Sequence, residues 1–486
     1  DKTMALTKAH NRMIEGAPVN VKDYGAVGDG VTDDTAAIQA ALDSGVKRVY
    51  APSGTYAIKT DSKLTVPSGV YVYGDGSGTI FNKSTGGYLT DIFYTISDDV
   101  YFSDFALVGN SGTAVDGVGF DNCDNCRAWN IEGSNLASTV TYGLTAECTN
   151  VMAENITSIS NSQQGVHFNK VSVGTLRNSR SINVGTNNLH HGFYIGNCSD
   201  IEAEGLFASG CSGSGVHINA QSSYAGRGIV LRGGIFKGNG TVGSGNRAGV
   251  LVNATADSSW EDIKLLGQYC FNNAGFNMVV SGTIVDIDIV DPVLNGNGKL
   301  TSNGLYIESA VVGTRSYRVR GGTIKGHSTG IRMPFNSGTI SYCDIDGVVI
   351  RDNTNGVYET GASGGSVTYL GSGVRFLNNS SGDIIGASNL VLGAYSPTSA
   401  LGEVTTMTTS ESFARLDGNV FIKNANGVNR TFNPSGAFPP THTVTVINTH
   451  STNTVAFDSA GLNNVIAGNG VGVFSYDGAN WKGKSF

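Results

Sequence analysis

The sequence is poor in proline, in charged residues and in long apolar runs. Only 9 of 486 residues are Pro, 14% are charged, and 39 acidic side chains against 31 basic ones give a net charge of -8. No run of 18 apolar residues occurs, which argues against a membrane-spanning helix. The acidic balance argues against a nucleic-acid-binding surface. With 40% hydrophobic residues the chain is too apolar to be disordered. We therefore expect a packed fold, without membrane insertion and without a nucleic acid partner.

The cysteines do not form a disulfide framework. Seven occur between residues 123 and 343, an odd number in a spacing that does not resemble a disulfide framework, which indicates folding in a reducing compartment. Cys123 and Cys126 form a C-x-x-C pair, but no second pair stands at zinc-site spacing from them. Packed thiols are therefore the favoured interpretation, and we expect neither a metal nor a cofactor.

Glycine, in contrast, is abundant, with 68 residues, about twice the usual share. A Gly followed by alternating apolar and polar residues recurs along the middle of the chain. These marker glycines span 265 residues in ten intervals, a mean of 26.5, and a second and a third apolar piece lie between them. Three short strands per coil predict an all-β fold, a right-handed parallel β-helix. The marker glycines are Gly117, Gly143, Gly165, Gly192, Gly215, Gly249, Gly275, Gly304, Gly330, Gly356 and Gly382.

The two ends of the chain differ from this repeat. The segment TDDTAAIQAAL at 32–42 predicts a short N-terminal helix that caps the β-helix, with Thr32 as its N-cap and Gly45 just beyond its end. Alternating runs near the C-terminus predict a small antiparallel β-domain. The predicted domains are a neck segment at 1–18, a capping region at 19–99, the β-helix at 100–393, a linker at 394–403, and a C-terminal β-sandwich for trimerisation at 404–486.

Three segments carry a family resemblance. NVKDYGAVGDGVTDDTAAIQAAL at 20–42, followed by VYAPSGTYAI and LTVPSGVYVYGDGSGTIF, resembles the first part of pectin-lyase-like β-helix proteins. In particular it looks like bacteriophage tailspikes that degrade bacterial capsule or lipopolysaccharide. The C-terminal VTVINTHSTNTVAFDSAGL is similar to the terminal β-domain of such spikes. No catalytic motif transfers residue by residue.

The resemblance implies a phage tailspike depolymerase whose substrate is a bacterial surface polysaccharide, either capsule or O-antigen. It also implies a homotrimer, attachment to the virion tail through an N-terminal region that this chain lacks, folding in the bacterial cytoplasm, and action outside the host cell. The residues support the trimer independently, because the strands of the C-terminal sandwich leave sheet edges that need covering.

Strand parity predicts an outward column formed by the second residue after each marker glycine. Aromatic and imidazole rings offer flat faces to sugars, and Arg and Asn offer hydrogen-bond donors for hydroxyls or an acidic sugar. A solvated face, which also tolerates aromatic residues, is the alternative interpretation. The predicted substrate-binding residues are His167, Tyr194, His217, Asn277, Tyr306, Arg332 and Tyr358.

Catalytic carboxylates are predicted near the bend between the first and second strands. Glycoside hydrolysis usually needs two carboxyls, roughly 5 to 9.5 Å apart depending on stereochemistry. The preferred pair is Glu308 with Asp286 or Asp288, and Glu202 and Glu204 are further candidates. Glu359 stands where an inward residue is expected, which would raise its pKa as a general acid requires, or else it marks a slipped register. Charges of opposite sign alternate along the second strands, so a ladder of ion pairs is the alternative interpretation.

Three functions remain open at this point. The first is a hydrolase that uses such a carboxylate pair. The second is a lyase on a uronic-acid polymer, with His217, Tyr194 or Tyr306 as base and Arg332 neutralising the uronate. The third is a non-catalytic adhesin that uses the same column only for binding. The sequence does not identify the polysaccharide.

Overall fold

The protein is a parallel β-solenoid. The computed structural model describes residues 17–59, 63–83, 91–110, 115–143, 145–242, 247–255, 257–308, 316–334, 342–360, 368–371, 373–385 and 390–392, together with the C-terminal strands bounded below. Strands hold 58% of residues and helices 5%, and the solenoid has about 12 turns. The predicted all-β fold and parallel β-helix are confirmed. The chain divides into two compact units, residues 1–286 and 287–486, which are described separately.

The strands are short and numerous, and each is labelled in chain order. Strands β1 to β27 are Val19–Asn20, Asp29–Asp33, Arg48–Tyr50, Gly54–Ala57, Leu64–Thr65, Tyr71–Tyr73, Thr79–Asn82, Phe93–Thr95, Tyr101–Val108, Val118–Phe120, Arg127–Ser134, Val140–Tyr142, Cys148–Ile159, Val166–Asn169, Val171–Arg177, Arg180–Ile182, Phe193–Gly196, Ser199–Glu204, Phe207–Ser209, Val216–Ala220, Ala225–Arg232, Ile235–Lys237, Ala248–Ala254, Ser259–Leu266, Tyr269–Phe271, Phe276–Ser281 and Asp286–Val290. Strands β28 to β37 are Val293–Glu308, Ser316–Arg320, Thr323–Pro334, Tyr342–Asp346, Val349–Arg351, Asn355–Thr360, Thr368–Leu370, Arg375–Leu377, Gly382–Ile385 and Leu390–Leu392.

In the first unit the strands stack in three parallel rows, which we call faces A, B and C. Face A contains β8, β10, β12, β14, β17, β20, β23 and β26, each paired in parallel with the next. Face B runs from β6 through β9, β11, β13, β15, β18 and β21 to β24. Face C includes β16, β19, β22 and β25. Strictly parallel pairing means that one residue position of the coil forms a column along each face.

The marker glycines stand where neighbouring coils approach most closely. A Cβ on Gly117 would lie 2.5 Å from the carbonyl oxygen of Thr139, and one on Gly165 would lie 2.3 Å from that of Gly192. Only glycine avoids this overlap without a local shift. The recurrence of glycine therefore reflects the spacing between coils at the start of face A.

Three of the eleven markers were assigned to the wrong register. Strand β12 ends before Gly143, β26 pairs Phe276 with Ala248, and Gly382 pairs with Asn355. Thr139, Asn277 and Asp383 hold the equivalent positions, with carbonyl oxygens beside Gly117, Gly249 and Gly356. This position of the coil favours glycine but does not require it. An alignment based on glycines alone therefore gives these three coils a shifted register.

The predicted N-terminal helix is present but starts later than expected. Helix α1 spans Thr35–Leu42, with Asp34 at its N-cap position. Thr32 is not the cap, because it lies in β2, where its backbone N–H and hydroxyl both donate to the Asp29 carboxylate. The helix buries Ile38, Ala41 and Leu42 completely. This apolar side lets α1 pack on the start of the β-helix, as a cap requires.

The C-terminal strands form two small sheets. Strands β38 to β46 are Thr405–Thr406, Glu411–Ala414, Asn419–Asn424, Arg430–Ser435, Thr443–Asn448, Val455–Ser459, Leu462–Ile466, Val471–Tyr476 and Trp481–Ser485. One sheet has the order β38-β40-β42-β45-β46 and the other β39-β41-β43-β44. The last strands pair antiparallel, as predicted, whereas the earlier ones pair in parallel because successive strands alternate between the two sheets.

Parts of the predicted domain division lie outside the described residues. These are nearly all of the neck segment at 1–18 and the whole linker at 394–403, so the domain boundaries stay predictions. Among the described residues, no helix has the length and apolar character needed to cross a bilayer.

Candidate active site

Two acidic residues meet on face A, and we call them the Asp91–Asp116 pair. Asp91 lies two residues before β8 and Asp116 two residues before β10, one coil later. The Asp91 carboxyl lies against Gly119, where a Cβ would be 2.7 Å from its Oδ1. Asp116 is near the hydroxyl of Thr141, the register partner of Gly119 in the next coil. Adjacent strands are ~4.8 Å apart, so the two carboxyls occupy neighbouring coils.

The surroundings of this pair favour a shared proton. Burial raises the pKa of Asp91, the nearby Asp116 charge raises it further, and Lys63 and Lys83 oppose the rise. Burial also raises the pKa of Asp116, with hydrogen bonds from Ser138 acting against it. Two neighbouring carboxyls in a poorly hydrated site do not both ionise easily, because the charge on one disfavours the charge on the other. The pair therefore keeps a proton at pH values where ordinary carboxyls have lost theirs.

Lysine side chains and small residues shape the same site. Lys83 is fully buried, and its Nζ donates to the backbone oxygen of Asp91 at 3.0 Å. The Lys63 ammonium lies 3.0 Å from the centre of the Tyr94 ring, and Tyr94 pairs with Gly119 in the face A register. Gly119 has no side chain, so the Asp91 carboxyl occupies the space where a Cβ would stand, and Thr141 holds the equivalent position one coil later.

Sequence analysis missed this pair. The marker series begins at Gly117, so the coil that contains Asp91 was not included in the alignment. Asp91 lies 25 residues, or one coil, before Asp116, and both acids hold the same position before a face A strand. Extending the repeat by one coil towards the N-terminus would have aligned them.

The predicted column continues on face A as a cluster of rings. His167 pairs with Tyr194, and Tyr194 with His217, as the parity argument predicted. The His167 and Tyr194 rings meet edge to face at 4.9 Å, and those of Tyr194 and His217 at 5.4 Å. His191, which the sequence analysis missed, packs on His217 at 4.4 Å. All three predicted side chains are half-buried.

A hydrogen-bond chain fixes the protons of this cluster. The Ser214 N–H donates to His191 Nδ1 at 2.9 Å, so His191 carries its proton on Nε2. That proton is donated to His217 Nδ1 at 2.9 Å, which places the His217 proton on Nε2. Burial lowers the pKa of His217 to about 3 and that of His167 to about 4. The imidazoles are therefore neutral at ordinary pH, and the His217 Nε2 proton is buried without a hydrogen-bond partner among the described residues.

One predicted member of the column is misplaced. Asn277 was expected to face outward, but the residue that pairs with Leu251 is Val279. Asn277 is 1% exposed, and its Oδ1 accepts a hydrogen bond from Asn273 inside the coil. The error follows from the shifted marker at Gly275, since a slip of two residues preserves parity but chooses another position. Asn277 therefore does not lie on the predicted sugar-binding surface.

In the second unit, Tyr306, Arg332 and Tyr358 form the predicted column. Arg332 pairs with Tyr306 on one side and Tyr358 on the other. Its guanidinium lies 5.9 Å from the first ring centre and 6.0 Å from the second. Arg332 Nε has no hydrogen-bond partner in the described part of the chain. The position of these residues agrees with the prediction, and their role in binding stays a prediction.

Most of the predicted catalytic carboxylates lie in ion pairs or beside rings. Glu202 and Glu204 both approach Arg177, at 3.2 and 3.9 Å, and are largely exposed. Asp288 pairs with Arg318 in the second unit. These contacts match the ion-pair ladder. Asp286 and Glu308 are half-buried. Burial raises the pKa of the Tyr306 hydroxyl, and the nearby Glu308 charge raises it further. The catalytic roles of all five acids remain untested predictions.

Glu359 is buried, as its inward position predicted. It is 1% exposed, and burial raises its pKa to about 7. Neither carboxylate oxygen has a hydrogen-bond partner among the described residues. Glu359 pairs with Met333 in the strand register. Burial raises the pKa of the Cys343 thiol, and the nearby Glu359 charge contributes to that rise. Met333 and Cys343 are both buried in the interior. The raised pKa that a general acid requires is present, but the side chain lies inside the coil.

The cysteines are buried and free. Cys123 Sγ lies 3.3 Å from Cys148 Sγ, and Cys126 lies beside them. Within the described ranges, no group of three or more His, Cys, Asp or Glu side chains is arranged to hold a metal ion.

Comparison with known proteins relates this chain to a pectate lyase-like family. The family model described as rhamnogalacturonase A/epimerase, pectate lyase-like matches residues 18–261, half of the chain. A mannuronan C5-epimerase of Azotobacter vinelandii is 32% identical over 254 residues, which cover 46% of this chain and 25% of that protein. A pre-neck appendage protein of Bacillus phage B103 is 38% identical over 99 residues, or 19% of this chain and 11% of that protein. The chain thus spans at most about a quarter of these relatives.

A solved structure shares the fold. The N-terminal fragment of bacteriophage phi29 gene product 12 has a TM-score of 0.54 and 15% identity, covering 86% of this chain and 82% of that one. At this identity the likeness concerns the fold alone.

Proposed function

The chain belongs to the rhamnogalacturonase A/epimerase, pectate lyase-like family, and on that premise we propose that it cleaves a bacterial surface polysaccharide by glycoside hydrolysis. The observation that carries the proposal is the Asp91–Asp116 pair, which lies within the matched residues 18–261. The phage pre-neck appendage relative supports a location on a virion tail. A homotrimeric tailspike acting on capsule or O-antigen, outside the host cell, is part of the same proposal.

The pair supplies the two functions that glycoside hydrolysis requires. The carboxyl that holds the shared proton gives it to the glycosidic oxygen as the bond to the anomeric carbon breaks. The ionised partner then acts on the anomeric centre, either directly or through a water molecule. A general acid works best when its pKa is near the operating pH, and burial beside a second carboxyl moves the pair in that direction.

The rest of face A would hold the polymer. Tyr94 lies in the coil of Asp91, one coil before that of Asp116, and the cluster of His167, Tyr194 and His217 begins one coil after Thr141. Ring faces suit the apolar sides of sugars. Binding groups thus flank the proposed catalytic pair on both sides along the face.

A lyase is the second candidate, because the matched epimerase is named for chemistry at C5 of a uronate polymer. β-Elimination needs a base at that carbon. The hydrogen-bond chain from Ser214 through His191 leaves His217 Nε2 protonated, so His217 would donate and not accept. Burial also raises the pKa of Tyr194, which makes its phenolate less accessible. Both observations favour hydrolysis over elimination by these residues.

The test is cleavage of purified capsules and O-antigens from a panel of bacteria. Hydrolysis should release reducing ends without the ultraviolet absorbance of an unsaturated sugar, whereas a lyase would produce both. Asp91→Asn and Asp116→Asn should each lower turnover by about 100-fold or more, since acid-base assistance is typically worth 10² to 10⁴.

Two control variants make the outcome decisive. Asp124→Asn removes an exposed carboxylate next to the same coils and should leave turnover unchanged. Glu308→Gln tests the assignment made from sequence alone. If it abolishes cleavage while Asp91→Asn retains it, the Asp91–Asp116 assignment is wrong. Binding without any cleavage across the panel would favour the adhesin.

A further inference from the structure

Face B carries a second surface of unusual composition, which we call the aromatic groove. It is a cavity of about 450 Å³ lined by Tyr71, Tyr101, Arg127, Trp129, Met152 and Glu154. All six residues belong to the first unit and to face B, whereas the Asp91–Asp116 pair belongs to face A. Pockets of this volume accommodate small-molecule ligands of a few rings.

The strand register builds the groove from two columns. Tyr71, Tyr101, Arg127 and Met152 pair successively in one column, and Trp129 pairs with Ser103 and Glu154 in the other. Ser103 is the small member of its column. Tyr71 leans into the space beside it, and the Tyr71 and Ser103 hydroxyls are 2.7 Å apart. The Tyr71 side chain therefore reaches across from its own column towards the other column.

Stacked rings form the wall of the groove and make it rigid. Tyr71 stacks on Trp129 with ring centres 5.4 Å apart, and on Tyr73 at 4.9 Å. Asn125 orients two more lining residues, since it donates to the Tyr101 hydroxyl at 2.9 Å and accepts from Arg127 at 3.2 Å. The aromatic and donor groups are therefore held in place before any ligand arrives, which lowers the entropic cost of binding.

Arg127 and Glu154 of the groove form no ion pair with another described residue, in contrast to two arginines further along this face. Further along face B, Arg177 pairs with Glu202 and Arg227 with Asp200. Arg127 and Glu154 lie on the same face, yet neither forms an ion pair within the described part of the chain. The ion-pair ladder is interrupted where the rings are concentrated, which leaves one cation and one anion beside an aromatic wall.

We infer that the aromatic groove is a second glycan-binding site, specific for a uronate-containing segment of polysaccharide. Arg127 binds the uronate carboxylate, Glu154 accepts hydrogen bonds from sugar hydroxyls, and the Trp129, Tyr71 and Tyr101 rings contact the apolar sides of the sugars. The inference rests on the proposed function only in taking the ligand to be a polysaccharide. Such a site would hold the polymer on one face while another face cleaves it.

A subunit interface is the competing occupant, and the charges argue against it. A permanent interface buries apolar surface and pairs its charges, because an unpaired buried charge is destabilising. Here an exposed Arg127 and a half-buried Glu154 border the rings, and neither forms an ion pair with another described residue. Sugars supply the carboxylate and hydroxyls that these two side chains lack.

The test is affinity electrophoresis of the full chain in gels that contain polymannuronate. The wild-type protein should be retarded. Trp129→Ala should weaken the apparent affinity about tenfold, which corresponds to roughly 1.4 kcal/mol for one lost stacking surface. Arg127→Ala should weaken it to a similar degree. The matched control is Arg227→Ala, which removes an exposed, ion-paired arginine from the same face and should leave the retardation unchanged.

The outcomes separate this inference from the proposed catalytic pair. Asp91→Asn should be retarded like the wild type, because the groove does not include Asp91. Absence of retardation of the wild type, or equal retardation of Trp129→Ala, would overturn the glycan site whatever the cleavage assay shows. A change of molar mass in Trp129→Ala by light scattering would overturn it in favour of a subunit interface. Failure of cleavage with intact, Trp129-dependent retardation would leave the groove standing and reject the hydrolase.

Discussion

At the scale of single residues, the Asp91–Asp116 pair links activity to stability. A carboxyl whose pKa is raised by folding binds its proton more tightly in the folded chain than in the unfolded one. The folded state therefore loses stability as the pH rises from the ordinary carboxyl pKa to the raised one. Both Asp91 and Asp116 carry such a raised pKa. The acid-base pair therefore lowers the stability of the folded protein at neutral and alkaline pH.

Asp91→Asn should consequently make the folded protein more stable at high pH while lowering its turnover. Asparagine does not titrate, so the variant escapes the loss of stability that the wild type suffers as pH increases. We expect its melting temperature to exceed that of the wild type at about pH 8.5 and to approach it at about pH 4. Thermal unfolding followed by circular dichroism at both pH values measures this. Asp124→Asn should show no such divergence, and a variant less stable at high pH would contradict the raised pKa.

Glu359 offers a second test of the same kind. Its pKa is raised to about 7 by burial, so stability is lost as pH rises through the range between the ordinary value and about 7. Glu359→Gln should raise the melting temperature at about pH 8.5 and leave cleavage intact, because the side chain lies inside the coil. Exposed Glu261→Gln is the control. Loss of cleavage in Glu359→Gln would instead support the general-acid role predicted from sequence.

Residue positions were predictable where burial alternates and unpredictable where chemistry depends on packing. Parity placed His167, Tyr194 and His217 in one column, because only one side of each strand can face the core. It failed at Asn277, since a shift by two residues keeps the parity and changes the neighbour. Asp91 and Asp116 were missed because the marker series began at Gly117, one coil too late to align them, and the burial that raises their pKa values is not recorded in the sequence pattern.

At the scale of strands and turns, buried asparagines join one coil to the next. Asn239 is fully buried, accepts from the Cys211 N–H at 3.1 Å and donates to the Ala208 carbonyl at 3.2 Å. Its own N–H donates to Asn273 Oδ1 at 2.9 Å. Asn353 and Asn379 repeat the arrangement in the second unit. Each amide satisfies backbone groups that would otherwise be buried without partners.

Asn239→Ala should therefore destabilise the protein strongly. It leaves the Cys211 N–H and the Ala208 carbonyl unpaired in the interior, at a cost of about 2–4 kcal/mol in unfolding free energy. Chemical denaturation monitored by fluorescence checks the value. The control is Asn155→Gly, at an exposed residue within β13 with φ of 52° that glycine also adopts. If both variants unfold alike, the buried amide ladder contributes no more than this exposed side chain.

The elements themselves were largely predictable, because each coil must solve the same packing problem. The recurrent glycine marked the close approach of coils, and the three apolar pieces per repeat became faces A, B and C. Helix α1 begins three residues later than expected because Asp29 and Asp34 hold the preceding loop through backbone N–H groups. Parallel pairing in the C-terminal sheets was not predicted, since alternating apolar patterns are the same for either strand direction.

At the scale of the whole molecule, the first unit carries both proposed glycan surfaces. Face A holds the Asp91–Asp116 pair and the ring cluster, and face B holds the aromatic groove. A β-helix can present separate surfaces in this way because each face is a continuous sheet of its own columns. If both surfaces bind the same polymer, retention on face B raises the local concentration of substrate near face A without any new contact at the catalytic pair.

The association state is the last prediction, and it follows from the C-terminal sheets. Their edge strands are β38 and β46 in one sheet and β39 and β44 in the other. Unpaired sheet edges are prone to pair with other chains, and closed cyclic assemblies cover such edges without leaving further ones open. We expect a homotrimer, with a mass by light scattering of three times the 50.5 kDa chain mass that persists on dilution. A mass of one chain at working concentration would contradict it. A dimer would show that the edges pair but close with a different symmetry.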